Sequence, residues 1–400
     1  MRPLLPLMLL LATGLSAQTF DLTGFVAARG VNATGPESWL EGGFGRLDTG
    51  GDHDALKGVA HLGVDWRPVQ WLELHASGSA REDQAGLTEV HATLRKELGL
   101  DEVQVRAGWF FLPTSQENRG ENWSSPYTIA FSSLNSWIGQ EVRPMGADLQ
   151  YRHVNRAGHS LLAGATAFRG NDTMGTLLGW RGWNVGDRLA TYGETLPLPP
   201  LRSLERTGPF WRQRDSGTQP FGSDLDGHTG YSARLRYSIP QRGHLQYTYV
   251  DNGGDRTLYG DQYSWQTRFH LLGAELGNPD SGFVLAAEFL TGDTYMGVGN
   301  PFVAASFQST YVLLSQKSGR NRWTARYETF STADEDHTAA EINDESGRAW
   351  TLTWLVDVTA HLRAAAEFTQ VTGDRPAAQQ SGFEPSTTGH STTVEVRWQF

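Results

Sequence analysis

The sequence predicts an all-β protein: one transmembrane antiparallel β-barrel of about 16 strands, with short turns at one end and long loops at the other. Three observations carry this. Apolar and polar residues alternate with a period of two from one end of the 400-residue chain to the other. The connections between alternating segments are by turns short and long. The last ten residues, STTVEVRWQF, alternate up to the final Phe400.

The chain has 14 Trp, 12 Tyr, 18 Phe and 46 Gly, no Cys, and only 38% hydrophobic residues. A water-soluble chain of this length normally divides into domains, each with its own core. No linker, composition break or charge run divides this one. Low hydrophobicity with many aromatics and glycines fits alternating strands joined by polar loops.

The first residues, MRPLLPLMLLLATGLSA, combine a positive charge at Arg2, an apolar run from Leu4 to Leu11 and mostly small residues from Ala12 to Ala17. This predicts a secretory signal over 1–17, cut after Ala17, with the barrel occupying 18–400. Pro3, Pro6 and Gly14 disfavour a buried helix there. No Cys follows the cut, so no lipoprotein anchor is expected. Beyond it, no apolar run reaches the ~18 residues of a membrane helix. Loss of Arg2 moves the net charge from −11 to −12, which argues against nucleic acid as a partner.

The expected strands are, in order, 20–32, 56–66, 71–80, 87–97, 102–112, 144–153, 160–169, 230–239, 244–251, 264–276, 282–291, 303–316, 322–331, 348–357, 361–370 and 391–400. Alternation is plain where Val103, Val105, Ala107 and Trp109 interleave with Gln104, Arg106 and Gly108, and where Trp350, Leu352, Trp354 and Val356 interleave with threonines. Successive strand side chains point to opposite faces, so each segment has one apolar and one polar face. The pattern is blurred in 160–169, 264–276 and 303–316. Segments of about 9 to 12 residues suit tilted membrane strands and exceed the usual globular strand of about 5 to 6. Trp66, Trp71, Trp109, Tyr151, Trp265, Trp350 and Trp398 sit near segment ends, where a membrane barrel carries aromatic girdles. In a soluble sandwich the same rings would be core.

The short connections, such as RPVQ (67–70), GLDE (99–102), NRAG (155–158), PQRG (240–243) and SGRN (318–321), carry tight-turn residues. Between them lie the long segments 34–54, 114–142, 171–229, 253–263, 292–302, 332–346 and 372–389. Only 81–86 is short on that side. One further pattern is a faint repeat, AAEFLTGD (286–293) and AAEFTQVTGD (365–374).

Hydrocarbon offers no hydrogen-bond partner to an open sheet edge, so the last strand must pair with the first, FDLTGFVAARG (20–30). An even strand count then places both ends on the short-turn, periplasmic side. The ending, with Val394, Val396, Trp398 and Phe400, resembles the sorting signal of bacterial outer-membrane β-barrels, which the barrel assembly machinery reads. Signal, strand count and loop pattern resemble the general porin class over the whole chain. That resemblance implies a Gram-negative outer membrane, contact with its lipid, no cofactor or metal, and passive diffusion of small polar solutes or ions. It leaves monomer and homotrimer both open.

In a closed barrel the polar faces point into the lumen. They would place Arg106, Arg152, Arg234, Arg236, Arg268, Arg326, Arg363 and Arg397 there, with Asp65, Glu73, Glu89, Asp148, Glu288, Glu328, Glu367 and Glu395. Charges of both signs predict a water-filled, transversely polarised pore. In 16-stranded porins the loop after the fifth strand folds inward. By that resemblance Glu117, Arg119, Glu121 and Glu141, in segment 114–143, line a constriction facing Arg234 and Arg236. An external lid is the alternative. The longest loop, 171–229, holds Trp180, Trp183, Trp211, LPLPPL (196–201), and Arg202, Arg206, Arg212 and Arg214. It would cap the mouth, gather anions, or simply pack on the surface.

Enzyme signals are poor: neither HExxH nor GxSxG occurs. An active transporter would need a plug domain and about 22 strands. The main rival to a porin is a non-channel barrel, an adhesin or secretion accessory whose loops fill the lumen.

Overall fold

The computed structural model describes residues 18–214, 217–220, 222, 224–278 and 282–400, without the side chains of Glu121 and Arg214. The expected signal segment lies outside the described residues.

Sixteen strands close one antiparallel barrel. They are β1 (Thr19–Thr34), β2 (Asp54–Val69), β3 (Leu72–Ala80), β4 (Ala85–Leu98), β5 (Asp101–Trp109), β6 (Met145–Val154), β7 (Ser160–Arg169), β8 (Gly230–Ile239) and β9 (Gly243–Asp251). After a two-stranded loop ladder, β10 (Leu258–Tyr259) with β11 (Gln262–Tyr263), the wall resumes. It continues through β12 (Gln266–Gly277), β13 (Phe283–Met296), β14 (Val303–Ser318), β15 (Asn321–Asp334), β16 (Glu345–Asp357), β17 (Leu362–Asp374) and β18 (Ser386–Gln399). Every expected segment is a strand. The fifth stops at Trp109 rather than 112, because Phe110, Phe111 and Leu112 turn inward and are buried.

β1 pairs with β18, in a register that sets Val26 opposite Trp398 and Ala28 opposite Val396. Phe400 N–H donates to the Gly24 carbonyl at 3.0 Å, and Gly24 N–H to the Phe400 carbonyl at 3.1 Å. The terminal strand is thus held on both sides, by β1 and β17.

The outward faces carry Val26, Leu149, Leu235, Leu314, Leu352 and Val396, all exposed. Trp66, Trp323, Trp350 and Trp398 stand out beside them, and Trp323 stacks on Trp354 with ring centroids 5.5 Å apart. An apolar wall of this extent is a lipid-facing belt. Trp265 is not part of it. It precedes β12 and turns inward, fully buried, 6.0 Å from Trp180.

Short turns gather at one end of the barrel and long loops at the other. Gly99 (φ 74°) and Gly319 (φ 59°) each open a two-residue turn in the left-handed region, where glycine bears no Cβ penalty. The alternation is blurred in the expected segments because some strands are apolar on both faces. On β12, Phe269 and Leu271 point inward while Leu272 and Leu276 point outward; on β14, Phe307 and Leu313 point inward while Val312 and Leu314 point outward. That phase corrects one residue: Arg268 alternates with buried Thr267 and Phe269 and lies on the outward face.

Candidate functional site: the filled lumen

The loops 110–144 and 170–229 enter the barrel. Helix α1 (Ser133–Glu141) lies inside, with every residue buried. A helix start leaves backbone N–H groups unpaired and carries partial positive charge. Glutamates meet that need. Ser133 N–H donates to Glu328 Oε2 at 2.5 Å and Ser132 N–H to Glu117 Oε2 at 2.8 Å. Just upstream, Ile129 and Ala130 N–H donate to Glu367 at 2.6 and 2.8 Å. The Asn135 amide donates to both Glu117 (3.1 Å) and Glu288 (3.0 Å).

Arg326, fully buried on β15, balances these carboxylates. It pairs with Glu117 and, at 3.1 Å, with Glu328; it also donates to the carbonyls of Ala130 and Phe131 at 2.8 and 3.0 Å. A charge removed from water needs this degree of saturation.

The second insert docks on the first. Glu141, which ends α1, accepts N–H bonds from Gly175 (3.0 Å) and Leu177 (2.8 Å) at the start of α2 (Thr176–Trp180). Trp137 packs edge-on or tilted against Trp183, Phe269 and Phe307, with centroids 6.1, 5.4 and 5.5 Å away. Asp187 then reaches the wall, pairing with Arg29 at 2.7 Å and Arg81 at 2.9 Å.

The residues expected at a constriction are distributed as follows. Glu117 faces Arg326 on β15 rather than β8, because Arg326 also binds the carbonyls flanking the helix start. Glu141 lines no channel; it is spent on α2. Arg119 pairs with Glu275 on β12. Arg234 is buried against Asp148 at 2.9 Å, and Arg106 lies 3.7 Å from the same carboxylate, over the Phe110 ring. Arg236 is half-buried. Arg152 sits near the short-turn end with Glu102 at 3.2 Å. The side chain of Glu121 lies outside the described residues. The wall charges therefore pair with one another and with the inserts. Toward the long-loop end an apolar core occupies space expected to be a water-filled pore, since the inserts bring Trp137, Trp183 and Leu134 to meet Phe307 and Phe330.

Among the described residues, cavities lie along the inner face of β1, β17 and β18 at three levels. The middle one is about 70 Å³ and is lined by Arg29, Lys57, Arg81, Asp187, Glu367 and Thr393, among others. One of about 360 Å³ opens at the short-turn end beside Phe25, Ser125, Arg363, Arg397 and Phe400. One of about 10 Å³ lies toward the long loops near Thr34, Arg46, Leu47 and Gly389. Between the first two stands a ladder: Arg29 Nε donates to Glu395 Oε2 at 2.7 Å, and Arg397 Nε to Glu395 Oε1 at 2.8 Å. Arg29, Lys57, Arg81 and Asp187 were not singled out by the sequence. Arg29 shares the inward face of β1 with the apolar Phe25, Ala27 and Val31, which hides that face from the alternation; Asp187, in a loop, carries no such signal.

Among the long loops, the side-chain ligand atoms of Asp226, His228 and Asp255 lie within 4.8 Å of one another, as do those of Asp172, Asp224 and Asp226.

No family model matches the chain, and no curated protein does. Solved structures do. An anion-selective porin from Comamonas acidovorans matches with TM-score 0.55 at 12% identity, over 96% of this chain and 100% of that one. The outer-membrane channel DcaP of Acinetobacter baumannii gives 0.54 at 11%, over 96% and 98%. Salmonella typhi OmpF, in complex with daunomycin, gives 0.54 at 12%, over 95% and 97%. The fold is that of the outer-membrane porins. In this porin-type barrel the inserts dock on β12 to β17, and the residual cavities follow the seam where β18 meets β1.

Proposed function

We propose that the chain is an outer-membrane porin of narrow bore, passing small polar solutes or ions by diffusion and without turnover. The row of polar cavities along β1, β17 and β18 supports this reading. A 70 Å³ space holds only a few waters, so permeants are small. The Arg29–Glu395–Arg397 ladder must part for passage, so flux is low. Arg29, Lys57, Arg81, Asp48, Asp187 and Glu367 line the middle cavity, with Arg29 and Arg81 paired to Asp187, and selectivity follows from whichever sign remains free to meet the permeant. The partners in this reading are outer-membrane lipid, the barrel assembly machinery and further copies of the chain. OmpT of Vibrio cholerae in its trimer form, matching with TM-score 0.53, supports testing a homotrimer by mass in detergent.

The test is single-channel conductance of the chain without residues 1–17, in a planar bilayer under a salt gradient. Small discrete steps are expected, with larger ones in Arg397→Ala, which widens the seam. The complete burial of α1 favours a second reading, a non-channel adhesin or secretion accessory. Silence from both proteins, despite verified insertion, selects that one.

A further inference from the structure

The loop between β15 and β16, DEDHTAAEIND (334–344), combines five acidic residues with a buried amide. Three of its carboxylates are committed to the loop's own shape. Asp334 Oδ1 accepts N–H bonds from Asp336 (3.0 Å) and His337 (2.9 Å). Asp336 accepts from Thr338 (2.9 Å) and Ala304 (2.6 Å), and Asp344 from Asp334 (3.1 Å).

Glu341 is different. It is 2% exposed, and neither carboxylate oxygen has a hydrogen-bond partner among the described residues. Asn343, 1% exposed, likewise has neither its amide oxygen nor its nitrogen paired. A carboxylate taken from water without a donor is costly, and either a proton or a cation relieves that cost. Burial first, then the fields of Asp336 and Asp334, push the Glu341 carboxyl up to about 9. Arg375 acts the other way; its two terminal nitrogens are engaged with Glu345 at 3.4 Å and the Trp180 carbonyl at 2.6 Å, while its Nε is unpaired among the described residues. The acidic groups outnumber the cations in the loop, and three of the free atoms, the two Glu341 oxygens and the Asn343 amide oxygen, are hard oxygens. Such oxygens suit calcium-like cations and not soft metals.

We propose that this loop binds a divalent cation of the calcium type, with the Glu341 carboxylate and the Asn343 amide oxygen as ligands and the neighbouring aspartates supplying charge. The site lies on the long-loop side, apart from the seam, and stands whether or not the barrel conducts.

The probe is terbium, as a luminescent stand-in for calcium, titrated into the full chain folded in detergent micelles and then displaced with calcium. The expected result is a saturable signal that calcium removes, weakened roughly tenfold or more in Glu341→Gln, since one charged ligand of a hard-cation site is lost. Asp226→Asn, in the separate acidic group, leaves it unchanged. Absence of a saturable signal would show that Glu341 simply keeps a proton, and would overturn the proposal. So would equal binding by Glu341→Gln, or a loss that follows Asp226→Asn instead. Heat-modifiable gel mobility reports folding of each variant; if Glu341→Gln does not fold, Asn343→Ala takes its place with the same outcomes.

Discussion

Glu288 and Glu367 stand at the same place in two matching stretches, AAEFLTGD and AAEFTQVTGD, and both reach into the barrel to hold one inserted segment. Glu288 accepts from Asn135 at 3.0 Å; Glu367 accepts from Ile129 and Ala130. They come from β13 and β17, with Arg326 on β15 midway between them. The repeat therefore marks two anchor points of the lumen insert, as well as two strand ends.

Glu367→Ala removes the acceptor of two buried backbone N–H groups. Bonds to a charged acceptor contribute about 1.5–3 kcal/mol each, so the docked segment should lose roughly 3–6 kcal/mol. Amide exchange at Ile129 and Ala130 reads this directly. Unchanged protection there would show that Glu367 does not hold the insert.

Arg326→Met leaves Glu117 and Glu328 buried without their cation. Breaking a buried pair in this way costs about 3–5 kcal/mol. The denaturant midpoint of the folded barrel should fall, and the triple variant with Glu117→Gln and Glu328→Gln should recover much of the loss. A triple variant as unstable as Arg326→Met would point to the carbonyl bonds of Arg326 as the main contribution.

Leu352, 52% exposed near the middle of β16, faces outward. In a bilayer Leu352→Arg should destabilise the barrel by about 2–4 kcal/mol, the cost of a cation at the hydrocarbon midplane. Refolding equilibria in lipid vesicles measure it. A neutral effect would mean that this face is not in lipid.

Asp172 lies in the loop after β7, close to Asp226 and Asp224. Burial raises its carboxyl from 3.8 to about 6; the N–H of Leu225 opposes this, and the charge of Asp226 reinforces it. The protonated form is the one the fold favours. Its stabilising contribution is complete below pH 3.8 and is lost as pH rises through about 6. The denaturant midpoint of the folded barrel should fall between pH 5 and 7 in the wild type and fall less in Asp172→Asn. Identical profiles would remove Asp172 as the cause.

The wall was legible residue by residue. The alternation of Tyr231 to Ile239 and of Trp350 to Val356 marked strands whose outward faces now form the belt. The ending Val394, Val396, Trp398, Phe400 marked the strand that closes on β1. The three blurred segments were also informative, because Phe269, Phe307 and Phe168 are apolar positions on the inner face, and only a covered lumen explains them. The site was less legible. Glu117 and Glu141 were recognised as residues of an inward loop, but not their partners.

By itself the sequence determined the strands, their two faces and the closure of the barrel. Those depend on a local period of two and on turn residues that act within a few positions of one another. Only the tertiary structure decided that the lumen is filled, that Glu117 meets Arg326, 209 residues away, and that a narrow seam remains beside Arg29 and Glu395. A loop has no fixed period to say which way its side chains point. Their partners are chosen by packing across the barrel, where residues distant in the chain come into contact.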